Sequence, residues 1–143
     1  MDFSLTLTAP LEKIMMCLTD YENITKFTPA QLKSIEIIEK KSDSIITEET
    51  LEFKTVVKNQ IIQQCLHKKL NRNELITEII SGPAKNTVIH INCNDKSSGT
   101  EIHVDIDLKL SLKAKILQPI IKKVYKQVLT STFYRINTWA MEN

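Results

Sequence analysis

The fold is decided by the stretch from Glu101 to Leu110, which reads Glu-Ile-His-Val-Asp-Ile-Asp-Leu-Lys-Leu. Every second residue is apolar, which is typical of a β-strand with one face in the core and the other in solvent. The next segment, from about Lys113 to Met141, has apolar residues at three- and four-residue steps and predicts one long amphipathic helix. Because a strand face and a helix stripe each need an apolar partner, we expect the two to pack together.

The same alternation extends upstream to Leu32 and predicts a meander of strands. The predicted strands cover residues 34–39, 45–57, 60–69, 74–81, 87–93 and 101–110, with a further strand, residues 3–8, at the start of the chain. In the strand 45–57, Leu51, Phe53, Thr55 and Val57 share one face. The alternation in residues 60–69 is too weak to assign its facing. Short polar turns between strands, such as residues 95–99, predict an antiparallel sheet.

Two short helices are predicted between the first strand and the meander. The first begins at Pro10, where a missing N–H has little cost, and carries apolar residues at Leu11, Ile14, Met15 and Leu18. The second covers about Tyr21 to Phe27. Together these elements predict an α+β helix-grip fold, in which a curved antiparallel sheet of about six to seven strands wraps the long C-terminal helix. Such a geometry leaves room for an apolar cavity between sheet and helix.

The composition of the 143-residue chain limits the function classes. Hydrophobic residues make up 42% and charged residues 25%, which predicts one globular domain over residues 1–143. A net charge of +2 is too small to indicate nucleic-acid binding by itself, and no DNA partner is predicted. The two glycines, Gly82 and Gly99, stand too far apart for a P-loop or a dinucleotide-binding loop, and no cofactor is predicted.

The termini and the cysteines indicate the compartment. The first residues lack the pattern of a signal peptide, and no apolar run is long enough for a transmembrane segment. The three cysteines have no metal-binding spacing. We therefore expect a soluble cytoplasmic protein with free, buried thiols.

Several stretches, in this order, resemble the START-like superfamily, which includes plant pathogenesis allergens and bacterial polyketide cyclases. Residues 18–29 (Leu-Thr-Asp-Tyr-Glu-Asn-Ile-Thr-Lys-Phe-Thr-Pro) are similar to an aspartate-tyrosine-glutamate stretch of its coenzyme-Q-binding and polyketide-cyclase-like branch. Residues 34–39, 80–83 (Ile-Ser-Gly-Pro) and Gly99-Thr100 match further stretches of that branch, so the resemblance runs nearly end to end. It departs at Ala84, where the branch favours phenylalanine, and at residues 87–90, where tryptophan is common.

The resemblance implies binding of a hydrophobic molecule, often without catalysis. The departures at Ala84 and residues 87–90 weaken the case for a quinone as the ligand. The residues predicted to line a cavity are Phe27, Leu51, Phe53, Ile89, Ile91, Ile106, Tyr125, Val128, Leu129 and Phe133. Tyr125 is equally compatible with ordinary core packing. Glu49 shares the parity of Leu51 and is a possible polar group of the cavity, with a raised pKa. The alternative, favoured because charged residues are rarely buried, is that Glu49 faces water.

Other polar residues suggest no catalytic or metal site. His90, His103 and Asp105 fall on the outer face of the last hairpin, where a solvated surface is a better interpretation than a metal site. His67 has no evident partner. No Ser–His–Asp or Cys–His arrangement can be assembled, so neither a catalytic residue nor a metal ligand is predicted.

Three functions remain open at this stage. The leading hypothesis is binding or carriage of a lipid, an isoprenoid or a quinone. The second is a cyclase or dehydratase that uses a carboxylate or histidine in the cavity. The third is a module that binds a ribosome, a protein or a membrane surface through the basic face of the long helix, formed by Lys113, Lys115, Lys122, Lys123 and Lys126. A solvated helix face is the simpler explanation of these lysines.

Overall fold

The computed structural model describes residues 1–54 and 58–143. The strands in this part of the chain are β1 (Asp2–Leu7), β2 (Leu32–Lys40), β3 (Ile45–Lys54), β4 (Lys58–Asn71), β5 (Glu74–Ile79), β6 (Val88–Lys96) and β7 (Gly99–Asp107). They form one curved antiparallel sheet in the order β1-β7-β6-β5-β4-β3-β2. Apart from β1, each strand pairs with its neighbour in sequence. The predicted helix-grip fold is confirmed.

Two α-helices cover the inner face of this sheet. The short helix α1 (Leu11–Leu18) follows β1, and the long helix α2 (Gln118–Glu142) ends the structure. The apolar stripe of α2 joins the inner faces of the strands in one hydrophobic core. Phe133 and Ile136 on α2 are completely buried there. Within the described ranges, no helix is both long and apolar enough to span a membrane.

The prediction of a second α-helix, over residues 21–27, is wrong. The chain instead forms turns and one 3₁₀ helix, Ile24–Lys26. Its carbonyls are bonded three residues ahead, as in the bond from the Phe27 N–H to the Ile24 oxygen (2.9 Å). Asp20 and Asn23 favour turns here, because their short polar side chains bond locally, with Asn23 Nδ2 donating to Asp20 Oδ2 (2.9 Å).

The long helix and the last strand have different limits from those predicted. A separate 3₁₀ helix, Lys115–Leu117, precedes α2, which has Pro119 in its first turn. β7 ends at Asp107 rather than Leu110 because a side chain replaces the strand pairing beyond it. Thr87 Oγ1 accepts from the Lys109 N–H (2.9 Å) and donates to the Lys109 carbonyl (3.0 Å).

The connection from β1 to α1 is held by side chains from distant parts of the sequence. Asn137 Oδ1 accepts a hydrogen bond from the Ala9 N–H (2.8 Å), and Thr100 Oγ1 donates to the Ala9 carbonyl (2.8 Å). Since Asn137 lies on α2 and Thr100 on β7, these bonds join the helix, the sheet and α1. This junction fixes where α1 closes the space between the sheet and α2.

The structure also assigns the facing of the strand that the sequence left open. In β4, Ile61, Gln63 and Cys65 are buried, and Ile62 is exposed, so the odd-numbered residues face α2. His67 follows the same parity. The predicted facing of Thr55 and Val57 lies outside the described residues. As predicted, the three cysteines are free and buried.

Candidate functional site

A cavity of about 130 Å³ lies between the inner face of the sheet and α2. Its apolar wall is formed by Leu18, Ile24, Leu32, Ile35, Leu75, Ile89, Ile91, Val128, Leu129 and Phe133. Its polar lining residues are Tyr21, Thr28, Glu49, His67, Thr77 and Thr132. Strands β2 to β6, both α-helices and the segment between α1 and β2 therefore all contribute to the lining. A concave apolar wall with a few convergent polar groups is the usual form of a small-molecule site.

Glu49 and His67 provide the ionisable groups of this lining. In the antiparallel register, Glu49 on β3 pairs with Gln63, and His67 on β4 pairs with Ile45. The two side chains therefore approach each other over the intervening pair, Thr47 and Cys65. Glu49 Oε2 lies 3.4 Å from His67 Nε2, and the two side chains are only 14% and 10% exposed. A carboxylate and an imidazole thus meet at the wall of the cavity, largely shielded from solvent.

Two threonines and a tyrosine orient the His67 ring. Thr47 Oγ1 donates to Glu49 Oε2 (2.9 Å) and lies 2.8 Å from His67 Nε2. Because the single hydroxyl proton of Thr47 goes to Glu49, the Nε2–H of His67 donates to Thr47. His67 Nδ1 lies 2.7 Å from Thr77 Oγ1, which donates to it in the neutral tautomer that carries its proton on Nε2. Tyr21 stacks on the ring, with centroids 4.4 Å apart.

A second cluster of polar side chains, formed by Gln63, Cys65 and Tyr125, lies beside Glu49 within the core. Gln63 Nε2 is 3.6 Å from Cys65 Sγ, and Tyr125 donates its hydroxyl proton to Gln63 Oε1 (2.9 Å). The bond from Tyr125 fixes which end of the Gln63 amide faces the sulfur. Among the described residues, Glu49, Cys65 and His67 have one metal-ligating atom each within 4.8 Å of one another.

The electrostatics of the site favour an ionised Glu49. Burial raises the pKa of this carboxyl, but the hydrogen bond and charge of His67, with bonds from Thr47 and Cys65, outweigh it and lower the pKa overall. The pKa values of the neighbouring thiol and hydroxyl groups are shifted in the opposite direction. Burial, with the negative charge of Glu49, raises the pKa of Cys65, Tyr21 and Tyr125 far above the usual range. At neutral pH the site therefore holds one carboxylate among neutral hydroxyl and thiol groups.

The sequence matches a known family, described as polyketide cyclase / dehydrase and lipid transport, over residues 7–133. The chain belongs to this polyketide cyclase/dehydrase and lipid transport family. Members of the family bind hydrophobic small molecules, and the match includes every residue that lines the cavity. A search of curated proteins finds no match.

Solved structures share the fold at low sequence identity. TTHA0849 from Thermus thermophilus has a TM-score of 0.82 at 10% identity, and the match covers 99% of this chain and 96% of that one. A START superfamily protein from Mycobacterium smegmatis has 0.77 at 14%, covering 99% and 97%. The Zhui aromatase/cyclase from Streptomyces sp. R1128 has 0.76 at 10%, covering 99% and 92%. At these identities the likeness concerns the fold alone.

The structure brings six of the predicted site residues to the cavity of this family member. They are Glu49, Ile89, Ile91, Val128, Leu129 and Phe133. The other predicted lining residues lie elsewhere. Leu51, Phe53 and Ile106 are buried in the core, and Tyr125 bonds to Gln63 behind the cavity wall. Phe27 packs edge-on against Trp139 at the surface, with ring centroids 5.9 Å apart.

Two expectations for the polar residues are wrong. Glu49 does not face water, because the register of β3 with β4 runs through it without a bulge and places it on the cavity wall. Its pKa is lowered rather than raised, because His67 is beside it. His67 has partners on three sides, although none was evident from the sequence. Its parity with Cys65 was the available signal, but the polar residues in β4 obscure the alternation that would have revealed it.

His90, His103 and the lysines of the basic helix face do not line the cavity. His90 Nε2 lies 2.8 Å from Glu74 Oε2, and His103 Nδ1 lies 2.8 Å from Ser4 Oγ. Each histidine of this outer face therefore has its own partner. On the basic face, Lys123 and Lys126 are exposed, and Lys126 Nζ lies 5.5 Å from the centre of the Phe3 ring.

Proposed function

We propose that the protein binds a compact hydrophobic molecule that carries one hydroxyl or carbonyl group. The observation that carries this proposal is the apolar cavity with Glu49 and His67 on its wall. The apolar part of the ligand would contact residues such as Leu129 and Ile89. Its polar group would take a hydrogen bond from, or give one to, the Glu49–His67 pair. Each Å² of apolar surface that the ligand buries contributes roughly 25 cal/mol.

The volume of the cavity supports a ligand of about one ring. At about 130 Å³, the cavity is similar to engineered apolar cavities of roughly 150 Å³ that bind benzene. Pockets for drug-sized ligands are typically about 300–1,000 Å³. One six-membered ring with small substituents, or the end of a longer molecule, therefore fits the space. A whole isoprenoid or polycyclic molecule would require Tyr21 and Ile24, between α1 and β2, to move.

The charge of the site supports a neutral polar group on the ligand. An ionised Glu49 accepts a hydrogen bond from a hydroxyl and repels a second carboxylate, whose attraction to His67 depends on that ring being protonated. A ligand of the same shape without a polar group would leave the buried carboxylate without its new partner. We therefore favour phenols and alcohols, which can donate to the carboxylate, over fatty acids at this position.

We predict that Glu49→Gln removes most of the preference for a hydroxyl group. Wild-type protein should bind 4-methylphenol about tenfold or more tightly than para-xylene, because a hydrogen bond to a charged acceptor contributes about 1.5–3 kcal/mol. In the variant the two affinities should approach each other. Chemical-shift titrations in the presence of a metal chelator measure both affinities. The control is Glu48→Gln, since Glu48 is adjacent on β3 and has the opposite parity.

A pair of tryptophan substitutions tests whether the probe occupies the cavity. Leu129→Trp fills the cavity and should abolish binding of both probes, whereas Leu112→Trp, at a position that is 88% exposed, should leave it unchanged. Equal affinities of 4-methylphenol for the two variants would contradict the proposed site.

The Glu49–His67 pair favours a second candidate, acid–base catalysis on the bound molecule. An ionised carboxylate at the cavity wall can remove a proton next to a carbonyl group, which is a step in cyclisation and dehydration chemistry. The family description includes both cyclases and dehydrases. On this hypothesis Glu49 is the base, and His67 holds it in position.

We predict that the protein accelerates exchange of the methyl protons of acetophenone in D₂O if this second function holds. Glu49→Gln should then slow the protein-dependent exchange by about 100-fold, within the range for a general base. Proton NMR follows the loss of the methyl signal, and Glu48→Gln is again the matched control. Exchange no faster than in buffer, although acetophenone is bound, would leave binding as the function.

A further inference from the structure

We propose that Glu49, Cys65 and His67 form a binding site for a divalent transition-metal ion of the zinc class. Their ligating atoms, one from each residue, lie within 4.8 Å of one another. A carboxylate oxygen, a thiolate sulfur and an imidazole nitrogen are the three donor types that zinc takes in proteins. This inference does not depend on the proposed ligand, because the metal can be bound and measured without it.

The sheet register explains why three residues scattered along the sequence converge. Cys65 on β4 is opposite Thr47 on β3, and Glu49 and His67 lie one inward-facing position away from that pair on opposite sides. The carboxylate and the imidazole lean over the Thr47–Cys65 pair from both directions. The metal would therefore lie above Cys65, with Glu49 and His67 as its other protein ligands.

The spacing of the donors suits a tetrahedral site after a small movement. With bonds of about 2.0–2.3 Å from zinc to its donors, neighbouring donors stand about 3.3–3.7 Å apart. The distance between Glu49 Oε2 and His67 Nε2 is already 3.4 Å. Cys65 Sγ lies within 4.8 Å of the ligating atoms of both residues, so it has to approach them by no more than about 1.5 Å.

Each of the three donors has a neighbour that orients it, which is the usual arrangement around a metal. Thr77 Oγ1, 2.7 Å from His67 Nδ1, can accept from it and so direct the lone pair of Nε2 to the ion. Thr47 Oγ1 donates to Glu49 Oε2. Gln63 Nε2 lies beside Cys65 Sγ at 3.6 Å and can stabilise a thiolate.

Three protein donors leave a fourth position for another ligand. Glu49 and His67 line the cavity, whereas Cys65 lies behind them with a side chain that is almost fully buried. The open position therefore faces the cavity. Three protein ligands with one open position are typical of catalytic rather than structural zinc sites. An oxygen atom of a bound small molecule would take that position.

Titration of the metal-free, full-length protein with Co²⁺ tests the site. Co²⁺ should bind one equivalent and produce a thiolate-to-cobalt charge-transfer band in the near ultraviolet, which Zn²⁺ should abolish by displacement. In Cys65→Ser the band should be lost, and the Zn²⁺ affinity, measured by competition with a chromophoric chelator, should fall at least tenfold. Cys93→Ser is the matched control, because Cys93 is an equally buried thiol on β6, outside the group.

Two results would overturn the site. One is the absence of the charge-transfer band from the wild-type protein at saturating Co²⁺. The other is an equal Zn²⁺ affinity of Cys65→Ser and Cys93→Ser. Circular dichroism checks that the variants fold. If Cys65→Ser does not fold, Glu49→Gln replaces it, and an unchanged Zn²⁺ affinity in that variant would also refute the site. The binding of 4-methylphenol, measured with a chelator, is a separate result and tests the proposed function alone.

Discussion

Replacement of Phe133 by alanine should lower the free energy of unfolding by about 3–5 kcal/mol. Phe133 is completely buried on α2 and contributes to both the core and the cavity wall. Its truncation loses the transfer free energy of the ring and leaves a void that the curved sheet cannot collapse to fill. Because a domain of this size is stable by about 5–15 kcal/mol, the variant should be close to unfolding. Urea denaturation followed by circular dichroism measures the change.

Tyr134→Ala is the matched control for this prediction. Tyr134 is the next residue on α2, and its side chain is 50% exposed, so its replacement should change stability by no more than about 0.5 kcal/mol. A loss below about 1 kcal/mol in Phe133→Ala would contradict close packing at this position. The same substitution enlarges the cavity. Benzene, which is apolar and ring-sized, should therefore stabilise the alanine variant more than the wild type.

Replacement of Gly99 by alanine should destabilise the protein by about 3 kcal/mol or more. Gly99 begins β7 with φ at +146°, a conformation that residues with a side chain rarely adopt. A Cβ atom there would overlap the carbonyl oxygen of Leu7 and lie 2.9 Å from Thr8 Cα. β1 would have to separate from β7 at the point where the chain turns into α1. A decrease in Tm of about 10 °C is expected, measured by differential scanning calorimetry.

The control for Gly99 is Ser98→Ala, in the same hairpin turn. Ser98 is exposed, so the change should be within about 0.5 kcal/mol. If Gly99→Ala and Ser98→Ala had the same stability, the close approach of β1 to residue 99 would be incorrect. The neighbouring Thr100 donates a hydrogen bond to the Ala9 carbonyl, so Gly99-Thr100 holds this junction through both backbone and side chain.

The fold was predictable because its signals are local. Alternation in residues 101–107 and three- and four-residue spacing in α2 reflect which face of each element is apolar, and neither depends on the rest of the chain. The errors occur where side chains replace the regular backbone bonding. β7 ends early because Thr87 bonds to Lys109, and residues 21–27 form turns because the Asn23 side chain bonds to that of Asp20.

The site was predictable mainly in its apolar part, with Glu49 as a possible polar group. Ile89, Ile91, Val128, Leu129 and Phe133 were expected on the inner faces from their periodicity, and the structure places them on the cavity wall. The same periodicity predicted Leu51, Phe53 and Ile106 on the cavity wall, although the structure places them in the core. Alternation tells which face a residue is on, but not whether that part of the face borders a space or another side chain.

The sequence by itself determined the order of the elements, their inner faces and the family to which the chain belongs. Only the tertiary structure decided that Glu49, Cys65 and His67 meet, and that Thr47 and Thr77 orient the imidazole. The physical reason is that these contacts depend on the register of β3 against β4 and on the curvature of the sheet. Both are set by the packing of the whole core around α2, and no local pattern of residues records them.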